Sequence, residues 1–182
     1  MDTRTDKWDW RFMNIALEVA SWSKDRSTRV GCVIVSPSGN ILATGFNGFP
    51  RGCLDSKNDV LHPVDFPNNY AQLRIDVEAR HERPAKYKWT VHAEVNAICN
   101  AACDGVSLKG ATAYLPWFPC SGCMGALIQA GISCIVGERP DLNHSTFGED
   151  FRIGLIMAKE AGVKLRYVES NVPLRSLVKG RA

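Results

Sequence analysis

Ala111-Thr112-Ala113-Tyr114-Leu115-Pro116-Trp117-Phe118-Pro119-Cys120-Ser121-Gly122-Cys123 is the stretch from which the architecture can be read. Residues 111–115 form a short apolar run and read as a strand. Two prolines bracket the turn that follows. Residues 120–130 then read as a helix, closed by Gly131, a residue suited to the left-handed position after a helix end. Both thiols fall in the first turn of that helix, where a spacing of three brings the sulfurs to one side. The positive end of the helix dipole favours thiolate over thiol there, and so favours metal binding.

Working upstream, Val91-His92-Ala93-Glu94-Val95 opens a second helix that runs through Ala97, Ile98 and Ala101 to about residue 102 and stops at Asp104-Gly105. In mid-helix His92 and Glu94 would stand about 200° apart, so they converge only if His92 sits where the chain enters the helix. With Cys120 and Cys123, the imidazole completes a set of three nitrogen and sulfur ligands. Such a set leaves a tetrahedral zinc ion with one open position, the mark of a catalytic site. Water at that position has its pKa lowered to about 7, and Glu94 is the group to carry its protons. Two blander readings compete, because a Cys-x-x-Cys also serves as a redox pair or as half of a structural zinc site. A structural site needs a fourth ligand, and Cys32, Cys53, Cys99, Cys103 and Cys134 offer no second close pair in this context. A separate structural zinc held by Cys53 with His62 or His81 is a further arrangement to test.

Outward from this centre, Trp8, Phe12, Ile15, Ala16, Val19 and Trp22 recur at helical spacing, which predicts an amphipathic helix over 8–23 with its indoles in the core. Ser23-Lys24-Asp25-Arg26-Ser27-Thr28 reads either as a solvated connection or as a phosphate cradle built from Lys24, Arg26 and the hydroxyls. Residues 30–35 and 41–46 read as a hairpin around a Ser-Pro-Ser-Gly-Asn turn. Gly45-Phe46-Asn47-Gly48-Phe49-Pro50-Arg51-Gly52-Cys53 follows as a tight loop able to bring backbone close to a ligand. Residues 55–88 have no clear period and are too long for a plain connector, which predicts a lid or insertion with a short helix near 77–83. Downstream come a strand at 134–137, a helix over 149–161, a last strand at 163–168 and a polar, basic tail from 169 to 182, docked weakly or frayed. No linker divides residues 1–182, so the expectation is a single α/β domain with helices on both faces of its sheet and the ligand-bearing helix starts at one sheet edge.

Composition narrows the function classes. Apolar residues make up 45% and charged ones 23% of 182 residues, an ordinary globular balance. A net charge of +3 is too small to imply a nucleic-acid surface without a clustered basic patch. No apolar run approaches the roughly 20 residues needed to cross a bilayer. The polar N-terminus does not read as a signal peptide, and the odd count of seven cysteines reads as reduced thiols, so a cytoplasmic setting is expected.

His-x-Glu followed by Pro-Cys-x-x-Cys resembles the signature of zinc deaminases. The motifs carry the likeness further: Ser23-Lys24-Asp25, Ser27-Thr28-Arg29-Val30-Gly31, the Gly45 to Cys53 loop, His92-Ala93-Glu94-Val95-Asn96-Ala97-Ile98, Phe118-Pro119-Cys120-Ser121-Gly122-Cys123 and Gln129-Ala130-Gly131-Ile132. From about residue 12 to 168 the chain resembles the deoxycytidylate (dCMP) deaminases of the cytidine deaminase-like superfamily, the Asn-Gly-x-Pro-x-Gly-Cys loop narrowing the likeness to deoxycytidylate. The resemblance implies a three-layer α/β/α fold around a five-stranded mixed sheet. It implies zinc on His92, Cys120 and Cys123, with Glu94 as proton shuttle in the hydrolysis of dCMP to dUMP and ammonia. Substrate contacts are implied for Lys24, Arg26, Asn47, Ala93, Phe118 and Pro119, with Asn47 on the deoxyribose and the Ala93 backbone on the pyrimidine carbonyl. It further implies a homo-oligomer, typically a hexamer, activated by dCTP and inhibited by dTTP, with Gly48, Phe49, Pro50, Arg51, Gly52 and Cys53 helping to hold the effector, Mg2+ accompanying that nucleotide, and no membrane or nucleic-acid partner. Relatives place a tyrosine after the fourth strand; residues 139–144 carry none, which leaves Phe147, His144 or Leu142 for that contact. Rival readings are a deaminase acting on dCTP or on a tRNA base, and a zinc-stabilised interaction module that needs no Glu94.

Overall fold

The computed structural model describes residues 3–56 and 77–178. His62, residues 57–76 of the expected insertion and the last four residues of the tail lie outside them. The chain divides into two compact units, Met1–Asn47 with His92–Ala182, and Gly48–Val91.

The larger unit contains α1 (Thr3–Ser21), β1 (Gly31–Val35), β2 (Ile41–Phe46), α3 (Ala93–Cys103), β3 (Thr112–Leu115), α4 (Ser121–Gln129), β4 (Cys134–Gly137), α5 (Gly148–Glu160) and β5 (Lys164–Tyr167), with α2 (Lys86–Trp89) in the smaller unit. The strands form one sheet in the order β2-β1-β3-β4-β5. The hairpin and the β1–β3 pair are antiparallel, whereas β3–β4 and β4–β5 are parallel. This is the expected five-stranded mixed sheet.

Alternation along the strands sorts the core into two layers, as the two-residue period of a strand requires. Cys32, Ile34, Ala113, Leu115 and Ile135 pack with Ala93, Ala97 and Ala101 of α3, Met124 and Leu127 of α4, and Phe151 and Ala158 of α5. Val33, Val35, Tyr114, Cys134 and Val136 face the other way, onto Phe12, Met13, Ala16 and Val19 of α1 and onto Leu174. Helices therefore cover both faces. Two glycines let them come close. A Cβ on Gly31 would stand 2.1 Å from the Ala16 carbonyl oxygen, and one on Gly45 would stand 2.3 Å from the Ala97 nitrogen. Two asparagines one turn apart add direction to the second contact: Asn96 and Asn100 donate to the carbonyls of Phe46 and Thr44, each at 2.8 Å. They cap part of the edge of β2 and hold α3, with the residues at its start, against the hairpin.

In this unit three expectations change. The indoles of Trp8 and Trp22 are 48% and 54% exposed, not core. The contact line of α1 runs through Phe12, Met13, Ala16, Val19 and Ala20, small enough at Ala16 and Ala20 to meet Gly31, and this turns the indoles outward. Arg11 lies over the Trp8 ring at 4.5 Å, and Trp22 meets Phe46 edge-on at 6.2 Å. Second, His92 and Cys120 are the residues before their helices rather than the first within them. Third, the tail is anchored, because Leu174, in a 3-10 turn at Leu174–Leu177, is fully buried.

The smaller unit spans more than the 55–88 segment expected as an insertion, because Gly48 and Val91 pair with each other and close it. Pro50, Arg51, Gly52 and Cys53 form a tight turn in which the Cys53 N–H donates to the Pro50 carbonyl and Gly52 takes a φ of 84°, a conformation open to glycine. The helix expected at 77–83 is a single 3-10 turn, Glu78–His81, followed after Pro84 by the short α2. Phe49 packs on His81 at 4.7 Å and on Trp89 at 6.2 Å, and Arg80 covers the Trp89 ring at 4.1 Å.

Candidate active site

The ligand geometry comes from the way two helices begin. His92 is extended (φ −72°, ψ 157°) and Ala93 is the first residue of α3, so the imidazole is free of the helical spacing that would turn it away from Glu94. Cys120 is likewise extended (φ −65°, ψ 167°) immediately before α4, and Cys123 lies in that helix's first turn. These entries bring His92 Nδ1 to 3.6 Å from Cys120 Sγ and 3.3 Å from Cys123 Sγ. All three ligand atoms lie within 4.8 Å of one another. Nitrogen and sulfur on one tetrahedral zinc ion, at bonds of about 2.0 and 2.3 Å, stand about 3.5 Å apart. The donor set and its spacing fit zinc. His92 is exposed and Cys120 half-buried, while Cys123 is buried, so the group opens to solvent on the imidazole side.

No second group of three or more such ligands occurs among the described residues. The idea of a structural zinc on Cys53 and His81 gains nothing here: His81 Nε2 is hydrogen-bonded to the Asp55 carbonyl at 2.7 Å and its ring is packed on Phe49. Nor do the described residues gather the carboxylates that Mg2+ would take.

The two thiols are hydrogen-bonded to each other. Cys123 donates to Cys120, which together with His92 pulls Cys120 down to about 4, while Cys123 is pushed up for the same reason and by burial. The pair thus holds one proton between two sulfurs, and metal binding must release it. Glu94 is 4% exposed. Burial raises its pKa, opposed by its own backbone N–H, by the His92 charge and by a hydrogen bond with Cys123. The Cys32 thiol, on the sheet beneath, is also pushed up by burial and then by Glu94.

The other expected contacts divide. Asn47 is buried, and its amide is largely spent on the preceding turn: Nδ2 donates to the Thr28 carbonyl (2.9 Å) and to Asp25 Oδ2 (3.2 Å), and Oδ1 accepts from the Val30 N–H (2.8 Å). Oδ1 retains one acceptor position. Asp25 organises the same turn, accepting from the Ser27 N–H, the Ser27 hydroxyl and the Thr28 N–H. The Ser27 hydroxyl is therefore engaged, and Lys24 and Arg26 are the exposed cations of that connection. Ala93 is fully buried at the start of α3. The Phe118 and Pro119 side chains belong to the core; Phe118 meets Phe151 edge-on at 5.7 Å. His144 Nδ1 accepts from the Thr146 and Phe147 N–H groups, and its ring lies 6.0 Å from Trp117, which also meets Phe147 at 5.5 Å.

Two residues escape sequence reading. Asp25 carries a local signal, since an Asp two and three residues before the N–H groups it accepts is an Asx turn. Asp150, which binds Ser121 between the two cysteines, carries none, because its partner is 29 positions away.

Comparison with known proteins agrees with this geometry. Residues 6–138 match the family model described as "Cytidine and deoxycytidylate deaminase zinc-binding region". The chain is 35% identical over 167 residues to an "Uncharacterized deaminase in luxG 3'region" of Aliivibrio fischeri, covering 91% of this chain and 97% of that protein. It is 34% identical over 160 residues to the deoxycytidylate deaminase of Mus musculus, covering 88% and 79%. In fold it is similar to the dCMP deaminase of cyanophage S-TIM5 solved with dCMP and dUMP, with a TM-score of 0.60 and 20% identity over 92% of this chain and 99% of that one. With a ligand set of this geometry and a family match over most of its length, the chain belongs to the cytidine and deoxycytidylate deaminases.

Proposed function

We propose that this chain hydrolyses dCMP to dUMP and ammonia. The observation that carries the reading is the approach of His92 Nδ1 to both cysteine sulfurs, at 3.3 and 3.6 Å, beside the buried carboxyl of Glu94. Deoxycytidylate as the substrate is supported by the relatives that bear that name, the mouse enzyme among them. Zinc held by His92, Cys120 and Cys123 supplies a Lewis acid that brings the pKa of water from about 16 to about 7. Glu94 does the proton work. Its carboxylate takes a proton from the water that attacks C4 of the cytosine ring and delivers it to N3. It then takes the second proton, from the hydroxyl now on C4, and passes it to the 4-amino group; the C4–N bond breaks, the C4 carbonyl forms, and ammonia leaves. A carboxyl whose pKa is raised by burial suits both halves of this task, since it must hold a proton as well as accept one. The remaining acceptor position on Asn47 Oδ1 suits a deoxyribose hydroxyl, the Ala93 backbone suits the pyrimidine carbonyl, and Lys24 and Arg26 suit the phosphate.

Ammonia release from dCMP, dCTP, deoxycytidine and a tRNA tests the substrate, and the reading predicts that dCMP dominates. Dominant release from tRNA or dCTP would overturn it. Adding dCTP or dTTP to the dCMP assay, and weighing the protein in solution, tests the regulated homo-oligomer that belongs to the same reading.

A further inference from the structure

The cysteine turn is held from outside its own helix. Ser121, which lies between the two thiols, is the first residue of α4. Its hydroxyl donates to Asp150 Oδ1 at 2.5 Å, and its backbone N–H points to the same oxygen at 3.4 Å. Asp150 lies in the first turn of α5. One carboxylate therefore serves the positive ends of two helices, a favourable position for an anion. Apolar contacts bring those helix starts together. Phe151 meets Phe118 edge-on at 5.7 Å, and a Cβ on Gly154 would stand 3.6 Å from the Pro119 carbonyl and 3.7 Å from Met124 Cβ. Those contacts are not directional, whereas the bonds to Ser121 are.

We propose that Asp150 is a positioning residue for the metal centre: by binding Ser121 it fixes the turn on which Cys120 and Cys123 are spaced to meet His92 Nδ1. This rests on the zinc reading above. Groups that orient metal ligands from outside the coordination shell typically account for about 10- to 100-fold in metal affinity. Asp150 differs from the thiols in contributing no donor atom, so its loss leaves the ligand set intact and loosens its geometry.

The test is zinc affinity of the full chain, read by competition with a chromophoric chelator, together with the visible spectrum of the cobalt(II)-loaded protein. Asp150→Ala is expected to weaken zinc binding about 10- to 100-fold and to shift the cobalt bands away from the wild-type tetrahedral pattern. Ser121→Ala should weaken binding in the same direction by less, because the backbone N–H remains for Asp150. Asp150→Asn should recover part of the loss, because an amide oxygen still accepts from Ser121. Thermal melts of the metal-free proteins identify any variant that has failed to fold, and Ser121→Ala then carries the comparison. Wild-type affinity and spectrum in both folded alanine variants would overturn the role of Asp150. Failure of the wild-type chain to bind zinc would instead overturn the zinc reading beneath it.

Discussion

At the scale of single residues, Glu94, the proposed proton carrier, is a buried carboxyl beside the ligand set. A carboxyl that is 4% exposed costs stability unless something compensates, and its compensation comes first from its own backbone N–H and then from two groups of the ligand set, His92 and Cys123. A zinc-stabilised module with no reaction to perform would gain from replacing it with an apolar residue. Glu94→Gln keeps the shape and removes the acid, so it separates the two roles. The variant is expected to retain zinc, measured as bound metal per chain, and to lose about 10²- to 10⁴-fold in turnover of dCMP. Turnover at the wild-type rate with zinc in place would show that the proton passes by another route. Asn47 teaches the converse lesson. Its side-chain bonds to Thr28, Asp25 and Val30 make it first a builder of the turn, so whatever it offers a sugar passes through one acceptor atom.

At the scale of elements, the sheet and helices stand close to where the residues put them, because hydrophobic periodicity and Gly-Pro punctuation are local signals. The errors arose where a tertiary contact decides between two local solutions. Trp8 and Ile15, with Trp22 just past the end of α1, line up at helical spacing as convincingly as Phe12, Ala16 and Val19, and size alone favours the indoles for the core. The glycine at the head of β1 reverses that choice, since it admits a helix backbone at a distance no larger side chain would permit. The same argument holds at Gly45 against α3, and there it bears on the site, because α3 begins at Ala93. Gly45→Ala sets a methyl 2.3–2.4 Å from backbone atoms of Ala97 and Ala93, which cannot rotate aside. The expected loss is at the upper end of the roughly 1–3 kcal/mol found for overpacking, read by denaturant unfolding, with zinc affinity falling as α3 is displaced. A variant as stable as the parent would mean that the helix has room to move. Asp150 and Ser121 stayed illegible for the related reason that no local pattern announces a pairing across the starts of two helices.

At the scale of the whole molecule, one buried polar group ties the beginning of the chain to its end. Asp9 of α1 is 6% exposed; it accepts from the Tyr114 hydroxyl in the central strand at 3.0 Å and from Arg166 Nη2 in the last strand at 2.8 Å. The three side chains stitch together the face of the sheet opposite the catalytic helices, across sequence separations of 105 and 157 residues. Burial first, and then the Asp9 charge, push the Tyr114 pKa well above the ordinary tyrosine value. The sign of the linkage follows. The folded state keeps this proton more tightly than the unfolded chain, so its contribution to stability is complete below about pH 10 and is lost as pH rises beyond that, at up to about 1.4 kcal/mol per pH unit. Tyr114→Phe removes both the bond and the titration. Below pH 9 it should be less stable than the parent by about 1.5–3 kcal/mol, the range for a hydrogen bond to a charged partner. Between pH 10 and 11 the two stability curves should converge, since only the parent must ionise a tyrosine to unfold. Denaturant titrations of both proteins at pH 8, 10 and 11 measure this directly, and a gap that stays constant across the series would show that the fold holds the Tyr114 proton no more tightly than the unfolded chain does.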